Sequence, residues 1–112
     1  MIGFAEDDQL GASTWHRRGQ PRKCDFPYGR VLITRAAAEL LTAWQIDPTP
    51  FLKRHLAGDW GELDDHDWTA NDRAVGDGHR ILSVYILRGD QRLWIITEAD
   101  RSATTLLLPS CY

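Results

Sequence analysis

Two cysteines in 112 residues are too few, and lie too far apart, to staple this chain into a disulfide scaffold. Neither Cys24 nor Cys111 belongs to a Cys-x-x-Cys pair. Two reduced thiols in a cytoplasmic protein are therefore the expectation. Long apolar runs are missing too, and none approaches the length that spans a bilayer, so no membrane association is expected. The N-terminus has no uninterrupted apolar core behind basic residues, which argues against a secretory signal. Positive charge is not in surplus either. Lys and Arg number 13 against 16 Asp and Glu, a net charge of −3, so no global field draws the chain to nucleic acid or anionic lipid. Neither a GxGxxG turn nor a P-loop occurs. The histidines, His16, His55, His66 and His79, form no i, i+4 pair on one helix and have no cysteine at ligand spacing. Asp65-His66-Asp67 reads as a solvated helix start. No metal and no cofactor are expected.

What is present is ordinary globular material, 43% hydrophobic and 26% charged, in a chain of one-domain length. Residues 1–28 stand apart. They lack a sustained period, and they carry Trp15 and a basic cluster from His16 to Lys23, so they read as a mobile arm. Residues 29–112 form the predicted domain.

Arg30-Val31-Leu32-Ile33 is a short strand candidate. Thr34 then caps a helix whose apolar stripe is Ala37, Leu40, Leu41 and Trp44. Asp47-Pro48 starts a second helix through Leu56, with Phe51, Leu52 and Leu56 inward and Lys53 and Arg54 outward. Gly58-Asp59-Trp60-Gly61 breaks it. A third helix is predicted from about Asp64 to Val75, its first turn crowded with acids that suit the positive end of the helix dipole. From Ile81 the period changes to two. Strands Ile81 to Leu87, Leu93 to Glu98 and Thr104 to Leu108 are joined across Gly89-Asp90 and Asp100-Arg101. The expected fold is α+β, with N-terminal helices packed on one face of a three- to four-stranded antiparallel sheet.

Two-residue loops fix a predicted register, and the register sorts the faces. Leu82, Val84, Ile86, Leu93, Ile95, Thr97, Thr104, Leu106 and Leu108 then point to the core. Ile81, Ser83, Tyr85, Trp94, Ile96, Glu98, Thr105 and Leu107 point the other way. A bulge would invert part of this, because a slip of one residue exchanges the faces. The second face, with Ser83, Tyr85, Trp94, Glu98, Asp100, Arg101 and Thr105, is the predicted partner-binding surface: aromatics beside hydroxyls and a carboxylate suit recognition. Arg101→Ala is expected to leave stability almost intact while abolishing activity, since Arg at a rigid strand end suits a phosphate or carboxylate.

A second reading is chemical. Metal-free RNA cleavage needs a base, an acid and a cation for the phosphorane charge, and His55, Glu98 and Arg101 supply those types. Helices ahead of an antiparallel sheet resemble the layout of the barnase, colicin and RelE group of small ribonucleases. Lys53-Arg54-His55 is similar to an Arg-His helix motif in some phage members of that group. The resemblance implies a toxin-like endoribonuclease with RNA as partner. The acid-rich third helix works against holding RNA.

Over roughly residues 29–112 another resemblance is closer. Trp94-Ile95-Ile96-Thr97-Glu98-Ala99-Asp100-Arg101-Ser102, with Thr104-Thr105, Leu107-Leu108-Pro109, Gly58-Asp59-Trp60-Gly61, Asn71 and a final Tyr112, looks like a family of small bacterial plasmid-related or mobile-element proteins. This chain departs from the pattern at Ser110-Cys111, where acids would precede the tyrosine. The association with mobile elements implies an interaction module that modulates a host protein or defence system, or a toxin-like effector. The acidic third helix suits a basic partner, such as a nucleic-acid-binding protein.

Overall fold

The computed structural model describes residues 26–112. The predicted arm over 1–28, with Trp15, the basic cluster and Cys24, lies mostly outside them. Phe26 and Tyr28 lie inside the folded body: Phe26 is buried in the core and Tyr28 packs against it.

The described elements are β1 (Arg30–Ile33), α1 (Arg35–Ala43), α2 (Thr49–Leu56), α3 (Asp65–Asp77), β2 (Ile81–Arg88), β3 (Gln91–Thr97) and β4 (Ala103–Leu107), closed by a 3₁₀ turn at Pro109–Cys111. This is an α+β architecture. Local chemistry sets the helix ends. The Thr34 hydroxyl accepts from the Ala37 N–H and the Asp64 carboxylate from the Asp67 N–H, each satisfying one orphan donor of a first turn. Asp47 accepts from the Thr49 N–H, so α2 begins one residue later than Asp47-Pro48 implied. Gly78, at φ 77°, ends α3 in the left-handed conformation. No described helix is long and apolar enough to cross a membrane.

The sheet has the order β1-β4-β3-β2 and is mixed, which corrects the antiparallel expectation. β1 lies parallel to β4, with Val31 beside Thr104 and Ile33 beside Leu106. A parallel pair needs a long crossover, here all three helices and the β2–β3 hairpin, and no local turn signal announces it. β3 and β4 pair as the Asp100-Arg101 turn dictates: Trp94 opposite Leu107, Thr97 opposite Thr104. β2 does not follow the expected register. The ladder shifts between Ile86 and Arg88, so Tyr85 pairs with Leu93 and Ser83 with Ile95. One extra residue inverts the strand. Ile81, Ser83 and Tyr85 therefore join Leu93, Ile95, Thr97, Thr104 and Leu106 on the core side, while Leu82, Val84 and Ile86 take the other.

The core joins Ala37, Leu52, Leu56, Trp60, Trp68 and Ala74 of the helical half to Ile81, Tyr85, Leu93, Ile95 and Leu106 of the sheet. The outer edge of β2 is closed by side chain and loop. The Asn71 amide group donates to the Leu82 carbonyl and accepts from its N–H. The Glu62 N–H donates to the Val84 carbonyl, and the Val84 N–H to Trp60. These bonds remove an edge that would otherwise invite pairing.

Candidate functional site

His55 is carried into the core by the inward stripe of α2, between Leu52 and Leu56, and is fully buried. Phe26 and Trp60 meet its ring edge-on, at centroid distances of 5.8 and 5.6 Å. Its Nδ1 lies 2.6 Å from the Ser83 hydroxyl and its Nε2 lies 2.8 Å from that of Thr97. Thr97 in turn is 2.7 Å from Thr104, and Thr104 donates to the Tyr28 carbonyl at 2.7 Å.

That last bond sets the direction of the whole chain. A carbonyl only accepts, so the one Thr104 proton is committed to Tyr28 and Thr104 must accept from Thr97. Thr97 then has no proton left and accepts from His55 Nε2–H. Nδ1 is the bare nitrogen, and Ser83 donates to it. Burial holds the imidazole pKa down to about 3, so the ring is neutral. A serine on a bare histidine nitrogen has the polarity of an activated nucleophile. Here Ser83 and His55 are both wholly enclosed, and the chain runs strand to strand. It locks α2, β2, β3, β4 and Tyr28 together.

The other predicted residues fall in different places. Tyr85 is buried beside Ser83 on the core side, donating its hydroxyl to the Asp59 carbonyl at 2.7 Å. The β2 bulge puts both residues there, off the face that was expected to carry them. Arg54 lies over the Tyr85 ring and donates to Asp59 at 2.7 Å. Trp94 and Thr105 are half-buried on the second face, where Tyr112 stacks edge-on against Trp94. Glu98 is 3.6 Å from Arg80, which also donates to the Tyr112 hydroxyl. Asp100 accepts from the Ser102 N–H, and Ser102 holds its carboxyl below the ordinary range.

Arg101 has a bonding pattern of its own. Its guanidinium donates to the carbonyls of Ala74 at 2.8 Å, His79 at 2.7 Å and Glu98 at 3.1 Å. Ala74 belongs to the last turns of α3, where the dipole favours a cation, and its carbonyl also accepts from the Gly78 N–H. Arg101 thus pins the end of α3 to the β3–β4 turn and is not bonded to His55 or to the Glu98 carboxylate. Its backbone holds φ 61°, an uncommon conformation for a side-chain-bearing residue. Arg101→Ala is therefore expected to lower stability by about 2 kcal/mol, where the sequence suggested that stability would be almost unchanged. Arg101→Gly relieves the backbone cost and separates it from the lost bonds. Urea midpoints of the two variants check this, and a loss below about 0.5 kcal/mol in Arg101→Ala would sink the stapling role.

Among the described residues, a run of exposed apolar side chains lies elsewhere, at β1. Val31, Leu32 and Ile33 are 40%, 38% and 42% exposed. Arg30 and Thr34 donate their N–H groups toward β4, to Ser102 and Leu106. By strand alternation the N–H and C=O groups of Val31 and Ile33 point outward. No described residue bonds to them. Beside Ile33 a groove of about 320 Å³ runs past Ala38, Leu41, Thr42, Ile46 and Pro48. Sequence reasoning saw β1 as a strand and missed its exposure. The available signal was three consecutive apolar residues without alternation, preceded by Arg30 and followed by Thr34-Arg35.

No family model, curated protein or solved structure matches this chain.

Proposed function

We propose that this chain is a non-enzymatic, cytoplasmic interaction module that takes a segment of another polypeptide along the open β1 edge of its sheet. The observation that carries the reading is the exposure of three consecutive apolar residues on an edge strand. Folded proteins blunt such edges with charge, proline or a covering element, and β2 in this same sheet is closed in that way. Main-chain pairing with an incoming strand is the general use of an uncovered edge. The disposition of the acid–base candidates weighs in the same direction. A ribonuclease needs a base within reach of substrate, and His55 is enclosed while Arg101 is held by three carbonyls. The mobile-element likeness of the C-terminal tract fits a partner supplied by the host.

Val31→Pro tests the reading. Proline removes the outward N–H, leaves the β4-facing bonds of Arg30, Leu32 and Thr34 in place, and is tolerated on edge strands. Affinity capture from host extract is expected to retain a partner on wild type and to lose it on Val31→Pro, with the melting temperature little changed. Equal capture by both proteins sinks the edge reading.

A further inference from the structure

The incoming strand has a chemistry that β1 specifies. We propose that the edge takes an extended segment with alternating apolar residues and carboxylates at both ends, one apolar side chain entering the groove beside Ile33. The proposal rests on the edge reading above and adds the identity of the ligand.

Charge selects the ends. Arg30 and Arg35 bracket the apolar triplet; both are exposed, and neither forms an ion pair with a described residue. Arg35 is the first residue of α1, whose first turn holds no acid. A cation there works against the helix dipole, so helix stability does not account for it. A carboxylate arriving at that point meets both the guanidinium and the positive end of the helix. The same charges disfavour a second copy of this chain. Antiparallel pairing about Leu32 would set Arg30 of each copy against Thr34 and Arg35 of the other, bringing like charges together.

Shape selects the centre. An added strand presents alternate side chains to one face. The groove starts at Ile33 and is walled by Ala38, Leu41, Ile46 and Pro48, which suits one branched aliphatic group. Glu39 lies farther along α1 and Asp47 lines the groove itself, so the ligand's acids belong at the ends of β1 and not over the groove. Asp47 is already engaged with the Thr49 N–H. The acid-rich start of α3 belongs to another element, and its preference for basic partners does not extend to β1.

The test uses the full chain and two synthetic peptides. One has Val, Ile and Val alternating with Thr and two Glu at each end; the other has the same centre with two Lys at each end. The readouts are affinity by calorimetry and amide hydrogen exchange at Val31 and Ile33. The acid-ended peptide is expected to bind about tenfold tighter at low salt, to lose that margin as salt rises, and to slow exchange at both amides. Arg30→Glu with Arg35→Glu is expected to reverse the order of the peptides. Ala38→Phe, which fills the groove, is expected to weaken the acid-ended peptide severalfold, and unchanged affinity overturns the groove assignment. Equal affinity of the two peptides with slowed exchange overturns the charge assignment and leaves the edge reading standing. No slowing with either peptide overturns both. Slow exchange at Val31 and Ile33 in the free chain also overturns both, because the edge is then already filled. Sedimentation at several concentrations distinguishes a second copy there from the chain's own residues 1–25.

Discussion

Replacing His55 by alanine is expected to lower the free energy of unfolding by about 4 kcal/mol, from a cavity in the core and two stranded hydroxyls. Ser83 loses its acceptor and Thr97 its donor, and both side chains are fully buried. The direction of the hydrogen-bond chain makes the cost divisible. Substituting His55→Leu, Ser83→Ala and Thr97→Val together removes every group the single variant strands, while Thr104 keeps its bond to Tyr28. The triple variant is expected to recover most of the loss, since apolar replacement of whole buried pairs is close to neutral. Denaturant midpoints with constant slope are the measurement. A triple variant no more stable than His55→Ala would show that the chain is not the closed unit its geometry implies.

The same histidine gives the protein an acid-sensitive term whose sign is fixed. In the unfolded chain an imidazole titrates near the ordinary value of 6.5, whereas the folded protein refuses the proton until about pH 3. Between those values the unfolded state binds the extra proton, so stability falls as pH drops through this window and is unaffected by His55 above it. The loss amounts to about 2 kcal/mol by pH 5. The triple variant lacks the group and provides the baseline. A wild-type profile from pH 7 to 5 that runs parallel to the variant's would contradict the neutral, enclosed ring. The tautomer can be checked independently, since the imidazole N–H resonance should belong to Nε2 and show contact with Thr97.

Much of this arrangement could be read from local sequence, and the divide follows the range of the interactions. Thr34 and Asp64 declared helix starts because each acts on groups within its own turn. The Asp100-Arg101 turn gave the β3–β4 register because two residues leave the strands little freedom. The bulge in β2 depends on which residues the helical half accepts, and no residue near Leu87 announces it. Thr97 and Thr104 stood out as hydroxyls on the predicted core face, while Ser83 was expected on the other face. Their purpose was not legible, because His55 lies 28 positions before Ser83 and 42 before Thr97. Arg101 illustrates the opposite error. An arginine at a charged turn looked available for a ligand, and only the end of α3, 27 positions earlier, shows what occupies it.

Gly61→Ala is expected to destabilise the protein by about 3 kcal/mol or more, through sterics that no local pattern reveals. Gly61 holds φ 78°, and a Cβ there would land on the Val84 carbonyl oxygen and within 2.8 Å of the Tyr85 ring. The carbonyl cannot retreat, because it accepts from Glu62 at 2.7 Å while the Val84 N–H donates to Trp60 at 3.1 Å. The ring is held as well, by its hydroxyl on Asp59. Relief therefore requires the 60–62 turn to leave β2, which reopens that edge of the sheet. Gly78 supplies the control. It has nearly the same backbone, φ 77°, but an added Cβ meets nothing within 4 Å. Gly78→Ala should cost only the left-handed conformation, about 1 kcal/mol. Urea midpoints of the two variants, with hydrogen exchange at the Val84 amide, separate backbone strain from the collision. Exchange at Val84 is expected to accelerate in Gly61→Ala alone. Equal losses in the two variants, with Val84 still protected, would mean that the turn yields without leaving the strand and that closure of β2 does not depend on the missing side chain at position 61.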